Sequence, residues 1–317
     1  MSRPKVLCMA DLELLSDALV PVEKLADVDY MAPDREALLG RIGEYDAYYC
    51  ACDVRLDREI VERASRLKVV ITPSTGTDHI DREALQARGI DFLALTYEYD
   101  MLDTFTATAE HSWGLLLACM RRIPAALDAV RQGRWARWRG FLSRQLSCKT
   151  LGVLGVGRLG KMVVEYGKSF RMRVLGCDPK DFDIPRVHRV DYDTLLAESD
   201  VISLHVHLTN DTRHLLSREA FAKMKDGVII INTSRGGLID EEALLESLES
   251  GKVDAAGLDL IEGEWMADIR QHPLVRYAQT HDNLIITPHI ASSTVESIAG
   301  GRIHAGHMLA EYLKKQM

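Results

Sequence analysis

Leu151-Gly152-Val153-Leu154-Gly155-Val156-Gly157-Arg158-Leu159-Gly160 decides the fold of this 317-residue chain. An apolar run too short for a helix leads into a G-x-G-x-x-G fingerprint, and residues 161–169 continue as a helix-like stretch. Gly155 allows the tight turn, Gly157 lets the backbone approach a pyrophosphate, and Gly160 permits close packing of helix on strand. The amides that open the helix, Arg158 and Leu159 among them, face the phosphate charge at the positive end of the helix dipole. Asp178 ends the next candidate strand, 18 residues past Gly160. A carboxylate there accepts from the adenosine ribose hydroxyls and repels a 2′-phosphate, so the pattern favours NAD over NADP.

Outward from the fingerprint, strand candidates fall at residues 150–154, 173–177, 201–205, 228–231, 255–258 and 284–287. Their short, uniformly apolar runs suit buried parallel strands. Six such strands with intervening helices match a complete dinucleotide-binding sheet. Residues 5–9, 28–31, 47–52, 68–72 and 92–95 repeat the theme, alternating with amphipathic stretches at 35–42, 58–66 and 82–88. Five such units predict a flavodoxin-like parallel sheet. The fold class is therefore α/β, with two doubly wound parallel-sheet domains, one flavodoxin-like and one a Rossmann NAD-binding domain.

A stretch at 107–123 is apolar nearly all round, which predicts a buried helix. Residues 132–149, rich in arginine with two tryptophans and no clear period, read as a loop-rich arm suited to packing on a second subunit. The capping-box pattern Ser293-Thr294-Val295-Glu296 opens a last helix. The expected division gives residues 1–100 and 290–317 to the first domain and 101–289 to the second.

Composition bounds the partners. The chain is 47% hydrophobic and 27% charged, and its formal charge is 39 − 47 = −8. That balance gives little support to a nucleic-acid or anionic-membrane partner. No segment approaches the roughly 20 apolar residues of a membrane helix, and the start lacks the apolar core of a signal peptide, so the expected location is the cytoplasm. Of six cysteines only Cys50 and Cys52 are close, and no second pair completes a zinc site; no metal is expected, and the thiols read as reduced.

Four polar residues, Arg235, Asp259, Glu264 and His289, stand at or just past the ends of the later apolar runs. In an open α/β sheet, ligands bind outside the carboxyl ends of the strands. A cation, two carboxylates and an imidazole there, beside a dinucleotide, suit a redox site.

Three motifs surround these residues: Asn232-Thr233-Ser234-Arg235-Gly236-Gly237-Leu238-Ile239-Asp240, Gly257-Leu258-Asp259-Leu260-Ile261-Glu262-Gly263-Glu264 and Thr287-Pro288-His289-Ile290-Ala291-Ser292. With the fingerprint, they resemble the D-isomer-specific 2-hydroxyacid dehydrogenase family over almost the whole chain. The resemblance implies that the first domain binds substrate and that Arg235, Glu264 and His289 are catalytic. Arg235 binds the substrate carboxylate and carbonyl oxygen, because its planar fork suits two oxygens. His289 is the general acid–base and also contacts substrate. Glu264 fixes the imidazole tautomer and favours its protonated form.

Asp259 lies on the nicotinamide side in this resemblance, accepting from the carboxamide, and Thr233, Ser234, Arg235 and Thr108 also face the cofactor. Thr75 and Gly76, in Pro73-Ser74-Thr75-Gly76-Thr77, hold the substrate carboxylate through main-chain amides. The family pattern also implies a homodimer built through the dinucleotide domain. Small acids such as glyoxylate and hydroxypyruvate are the natural substrates. Three positions depart from the pattern: Trp265 follows Glu264 where Pro is usual, His207 replaces another Pro, and Cys148 stands where Gly is common. An alternative within the same fold is an NAD(H)-sensing corepressor without significant turnover.

Overall fold

The computed structural model describes residues 3–12, 17–50, 53–135, 137, 140–266 and 268–316. The chain divides into two compact units, Met1–Phe105 with Thr294–Met317, and Thr106–Ser293.

The first unit carries five strands: β1 (Lys5–Cys8), β2 (Asp27–Tyr30), β3 (Ala47–Tyr49), β4 (Val69–Thr72) and β5 (Asp91–Ala94). They pair in parallel in the order β2-β1-β3-β4-β5, the reversal from β1 marking a doubly wound sheet. Short helices follow three of the turns, and each starts on an aspartate: the side chains of Asp34, Asp57 and Asp81 accept the amides of Ala37, Ile60 and Ala84. Leu7, Tyr48 and Val70 lie in the apolar layer on one face with Leu38, Ile60 and Leu85. Val6, Tyr49 and Ile71 lie in the layer on the other with Ala305, Leu309 and Leu313 of the C-terminal helix Val295–Gln316. Neighbouring residues of each strand thus serve opposite layers, as the pleat requires.

The second unit holds seven strands: β6 (Thr150–Leu154), β7 (Arg173–Cys177), β8 (Val187–Arg189), β9 (Val201–Leu204), β10 (Val228–Asn232), β11 (Val253–Leu258) and β12 (Leu284–Ile286). All pairings are parallel, in the order β12-β11-β10-β9-β6-β7-β8. The order reverses between β6 and β9, which is the switch point where such sheets bind ligands. The helix Ala107–Arg121 buries Ala109, Trp113, Leu116 and Met120 and shares an apolar layer with Val153, Val164 and Ile231. Leu196, Phe221, Leu244 and Leu274, from helices on the opposite face, pack with Leu204, Ile230 and Leu258.

Three local expectations change. The second sheet has a seventh strand, β8, a half-exposed edge of three residues. The apolar stretch ends at Arg121, where Arg122 turns left-handed with φ 52° and a separate helix, Ile123–Arg131, begins with Pro124 in its first turn. The last helix is capped one residue late: Thr294 Oγ1, not Ser293, accepts the amide of Ser297 at 3.2 Å. Cys52 lies outside the described residues, as do Trp138 and Arg139 of the arm, while Cys8, Cys119, Cys148 and Cys177 are free thiols. Among the described residues no helix is long and apolar enough to cross a membrane.

Candidate active site

The dinucleotide cradle is built by close approach. Gly155 leaves β6 with φ +88°, and a Cβ there would lie 2.6 Å from the His205 carbonyl oxygen, the residue that follows β9. A Cβ on Gly160 would run into the Gly155 carbonyl, so the helix Arg158–Ser169 can sit this close to its own turn only without a side chain. Gly157 is different: it is the N-cap, no side chain caps it, and nothing lies within 4 Å of where its Cβ would be. Space and helix-start amides together fit a pyrophosphate. Asp178, at the end of β7, accepts Val156 N at 2.7 Å and Lys180 N at 2.8 Å, so it also braces the glycine turn. It lines a cavity of about 800 Å³ with Leu154, Cys177, Arg189, Tyr192 and Val206. These residues fit the adenosine half of NAD.

The carboxyl ends of β10, β11 and β12 carry the candidate catalytic groups. His289 Nδ1 lies 3.1 Å from Glu264 Oε1. The imidazole is 44% exposed and the carboxylate 22%, so the pair is open to a ligand while a carboxylate supports the ring. His289 takes a left-handed φ of 53°, a conformation that costs a non-glycine residue about 1 kcal/mol or more. Its amide donates to Asp259 O at 2.8 Å and Thr287 O at 2.9 Å, which holds it there.

Asp259 is the anchor of this turn. It is 1% exposed, and its side chain accepts the amides of Ile290 at 3.0 Å and Ala291 at 2.8 Å, together with the Thr287 hydroxyl. His111 Nε2 reaches the same group, 2.8 Å from Thr287 Oγ1 and 3.5 Å from Asp259 Oδ1. The Asp259 oxygens hold the loop that presents His289.

Arg235 leaves β10 on a loop fixed by Asn232. That buried amide donates to Arg235 O at 2.8 Å and accepts Ser234 N at 2.9 Å. The hydroxyls expected to meet the cofactor are engaged internally, Ser234 Oγ donating to Leu204 O at 2.8 Å and Thr233 Oγ1 lying 2.6 Å from Ser112 Oγ. Ser112 Oγ in turn donates to Thr108 O at 2.8 Å. A Cβ on Gly236 would run into the Glu262 amide and the Ile261 carbonyl carbon. The loop bearing Arg235 therefore rests directly on the turn bearing Glu264.

The structure thus brings Arg235, Asp259, Glu264 and His289 to one edge of a single sheet. Asn232, His111 and Ser112 joined them unannounced; His111 directly follows Glu110, and its proximity to Thr287 spans 176 positions. In the first unit, Thr75 and Gly76 follow β4. Their carbonyls accept from Thr96 Oγ1 and Ser74 Oγ, and among the described residues their amides have no internal acceptor. Trp265, beside Glu264, is 64% exposed.

A reversed parallel sheet, a glycine cradle at its switch point and a supported imidazole beyond the neighbouring strands define a dinucleotide-dependent oxidoreductase. Residues 113–291 match the model of the D-isomer specific 2-hydroxyacid dehydrogenase NAD-binding domain. A hydroxypyruvate reductase from Thermotoga maritima is 40% identical over 266 residues, 83% of each chain. A D-3-phosphoglycerate dehydrogenase from Archaeoglobus fulgidus is 38% identical over 87% of this chain, which spans half the length of that relative. The structure of a D-lactate dehydrogenase from Aquifex aeolicus, complexed with NAD and lactic acid, superposes with a TM-score of 0.86 at 29% identity, covering 98% of this chain and 96% of that one. The chain belongs to the D-isomer specific 2-hydroxyacid dehydrogenase family and is an NAD-dependent oxidoreductase acting on CH–OH donors.

Proposed function

We propose that the protein interconverts a small 2-keto acid and its D-2-hydroxy acid, with His289 as general acid in reduction and general base in oxidation. The contact between His289 Nδ1 and Glu264 Oε1 carries this reading. A carboxylate on Nδ1 fixes the tautomer, assigns Nε2 to the substrate oxygen and stabilises the imidazolium. Bound NADH supplies the hydride. Arg235 binds the carboxylate and carbonyl oxygens, and the amides of Thr75 and Gly76, in the proposed substrate unit, bind the carboxylate. Asp178 sets a preference for NAD over NADP.

Glyoxylate and hydroxypyruvate are the substrates we propose, in keeping with the hydroxypyruvate reductase relative. A homodimer formed through the second unit completes the proposal. Its seam would be the exposed apolar face of the helix Ile123–Arg131, where Ile123, Leu127 and Val130 stand out.

The test is loss of NADH absorbance against glyoxylate, hydroxypyruvate, pyruvate and phenylpyruvate, repeated with His289→Ala. Turnover of one acid should fall about 10²–10⁴-fold in the variant while NADH still binds. Full turnover without the imidazole would remove His289 from the role.

A further inference from the structure

Two residues that the reading above leaves unused hold the turn on which Glu264 sits. Glu241 opens the helix Glu241–Glu249, and its Oε1 accepts the amide of Glu262 at 2.6 Å. His272, 6% exposed at the start of the helix Pro273–Ala278, places Nε2 2.8 Å from the Glu262 carbonyl oxygen and 3.2 Å from Glu241 Oε2. The hydrogen-bond partner of Nε2 is the Glu262 carbonyl, so this nitrogen carries the hydrogen and donates it there, with Glu241 Oε2 alongside. His272 Nδ1 is buried with no partner among the described residues, which leaves Nε2 as the ring's one hydrogen-bonding link.

Donor and acceptor of one residue, Glu262, are therefore gripped by a partly buried carboxylate and a buried imidazole. The Ile261–Glu262 peptide also lies close against Gly236, beside Arg235. The Glu262 side chain turns outward to an ion pair with Arg213 and lies 3.5 Å from His214 Nε2. Gly263 then reverses the chain with φ +78°, and the next residue is Glu264.

We propose that Glu241 and His272 are positioning residues: by clamping the Glu262 peptide groups, they set the Glu264–His289 contact and the placement of Glu264 relative to Arg235. The proposal rests on His289 being the proton-transfer group. Burial alone does not account for the arrangement. An ordinary core would place an apolar pair here more cheaply than a carboxylate and an imidazole. Both polar groups instead converge on one main-chain residue, two positions from a side chain whose distance must be kept. Reaction rates are sensitive to this: displacing a reacting group by about 1 Å can cost on the order of 100-fold.

The experiment compares Glu241→Ala, Glu241→Gln and His272→Gln with the exposed neighbour Glu242→Ala as control. Each is measured for NADH affinity, kcat and KM with the best keto acid, and the His289 titration followed by NMR. Glu241→Ala should keep its NADH affinity and lose about 10–100-fold in kcat with a smaller change in KM. The His289 midpoint should fall, because an imidazole that loses its carboxylate holds its proton less well. Glu241→Gln, whose amide oxygen still accepts from Glu262 N, should restore most of the loss, and Glu242→Ala should behave as the parent.

An unmoved His289 midpoint in Glu241→Ala, or a Gln variant no better than Ala, overturns the clamp. Should Glu241→Ala not fold, the midpoint in His272→Gln decides by the same criterion. Parent-like turnover in His289→Ala would instead sink the acid–base reading, and the NMR midpoint keeps the two failures apart.

Discussion

At the scale of single residues, the site depends on close backbone approach and on one partly buried carboxylate. Gly236→Ala places a Cβ against the Glu262 amide and the Ile261 carbonyl carbon, neither of which is the flexible end of a side chain. Overpacking of this kind typically costs about 1–3 kcal/mol, and here the strain would push apart the loops carrying Arg235 and Glu264. The expected outcome is a lower Tm together with a lower kcat, read by calorimetry and steady-state kinetics; a parent-like kcat would show that the two loops need not touch.

Glu241 makes a different prediction. Burial pushes its carboxyl from 4.5 up to about 7; the Glu262 charge adds to this, while the bond from the Glu262 amide and nearby His214 oppose it. His272 also faces the group, and Arg213 pairs with Glu262. A folded-state value above the unfolded one means that the group's contribution is full below about 4.5 and is lost as pH rises through 7. Glu241→Gln has no charge to bury, so its Tm should gain on the parent's between pH 5 and pH 8. Parallel Tm curves for the two proteins would show that the carboxyl ionises without penalty.

At the scale of elements, the proposed preference for NAD over NADP is tested at the end of β7. Asp178 is anchored by two amides and faces the cavity that fits adenosine, so a 2′-phosphate would meet its charge at short range. Asp178→Ser should raise kcat/KM for NADPH relative to NADH by on the order of tenfold, the scale of one removed repulsion of about 1 kcal/mol or more. It should also loosen the turn at Val156, whose amide loses its acceptor. An unchanged cofactor ratio would move the selection to Arg189 or Lys180.

What the sequence disclosed and withheld follows from the kind of signal each element carries. Buried parallel strands such as β6 and β10 announce themselves, because both faces are covered and all but one position in each is apolar or glycine. The edge strand β8, Val187-His188-Arg189, has one half-buried residue and two exposed ones, so no run exists to be read. The break at Arg122 lacked the usual glycine, and Pro124 was its one local mark. Arg235, Glu264 and His289 stand in compact motifs and were legible. Glu241 and His272 were not, because their meeting at Glu262 depends on separations of 21 and 10 positions that only the folded sheet closes. Asp259 was found but its surroundings were not: its partners Thr287, Ile290 and Ala291 lie about 30 residues away across the β11–β12 pair.

At the scale of the whole molecule, each unit has polar and apolar layers of its own, yet the second unit leaves apolar surface uncovered. Ile123, Leu127 and Val130 are 42%, 51% and 54% exposed, and their spacing puts them on one helical face. Trp135 and Leu142, at 80% and 78%, lie in the segment that follows. Exposed apolar side chains grouped on one helical face suit a contact site, and a second copy of the chain is the simplest occupant, since two-fold dimers dominate among soluble oligomers. A stable interface needs about 800 Å² from each partner, more than one nine-residue helix supplies, so the arm beyond it should take part. Light scattering after size exclusion should therefore give twice the chain mass. Leu127→Glu with Val130→Glu should give the single-chain mass while NADH binding survives, because charges buried in an apolar seam are costly and neither residue belongs to the glycine fingerprint. A parent protein that runs at single-chain mass at micromolar concentration would leave this face without its partner, and a double variant that stays dimeric would move the seam elsewhere on the chain.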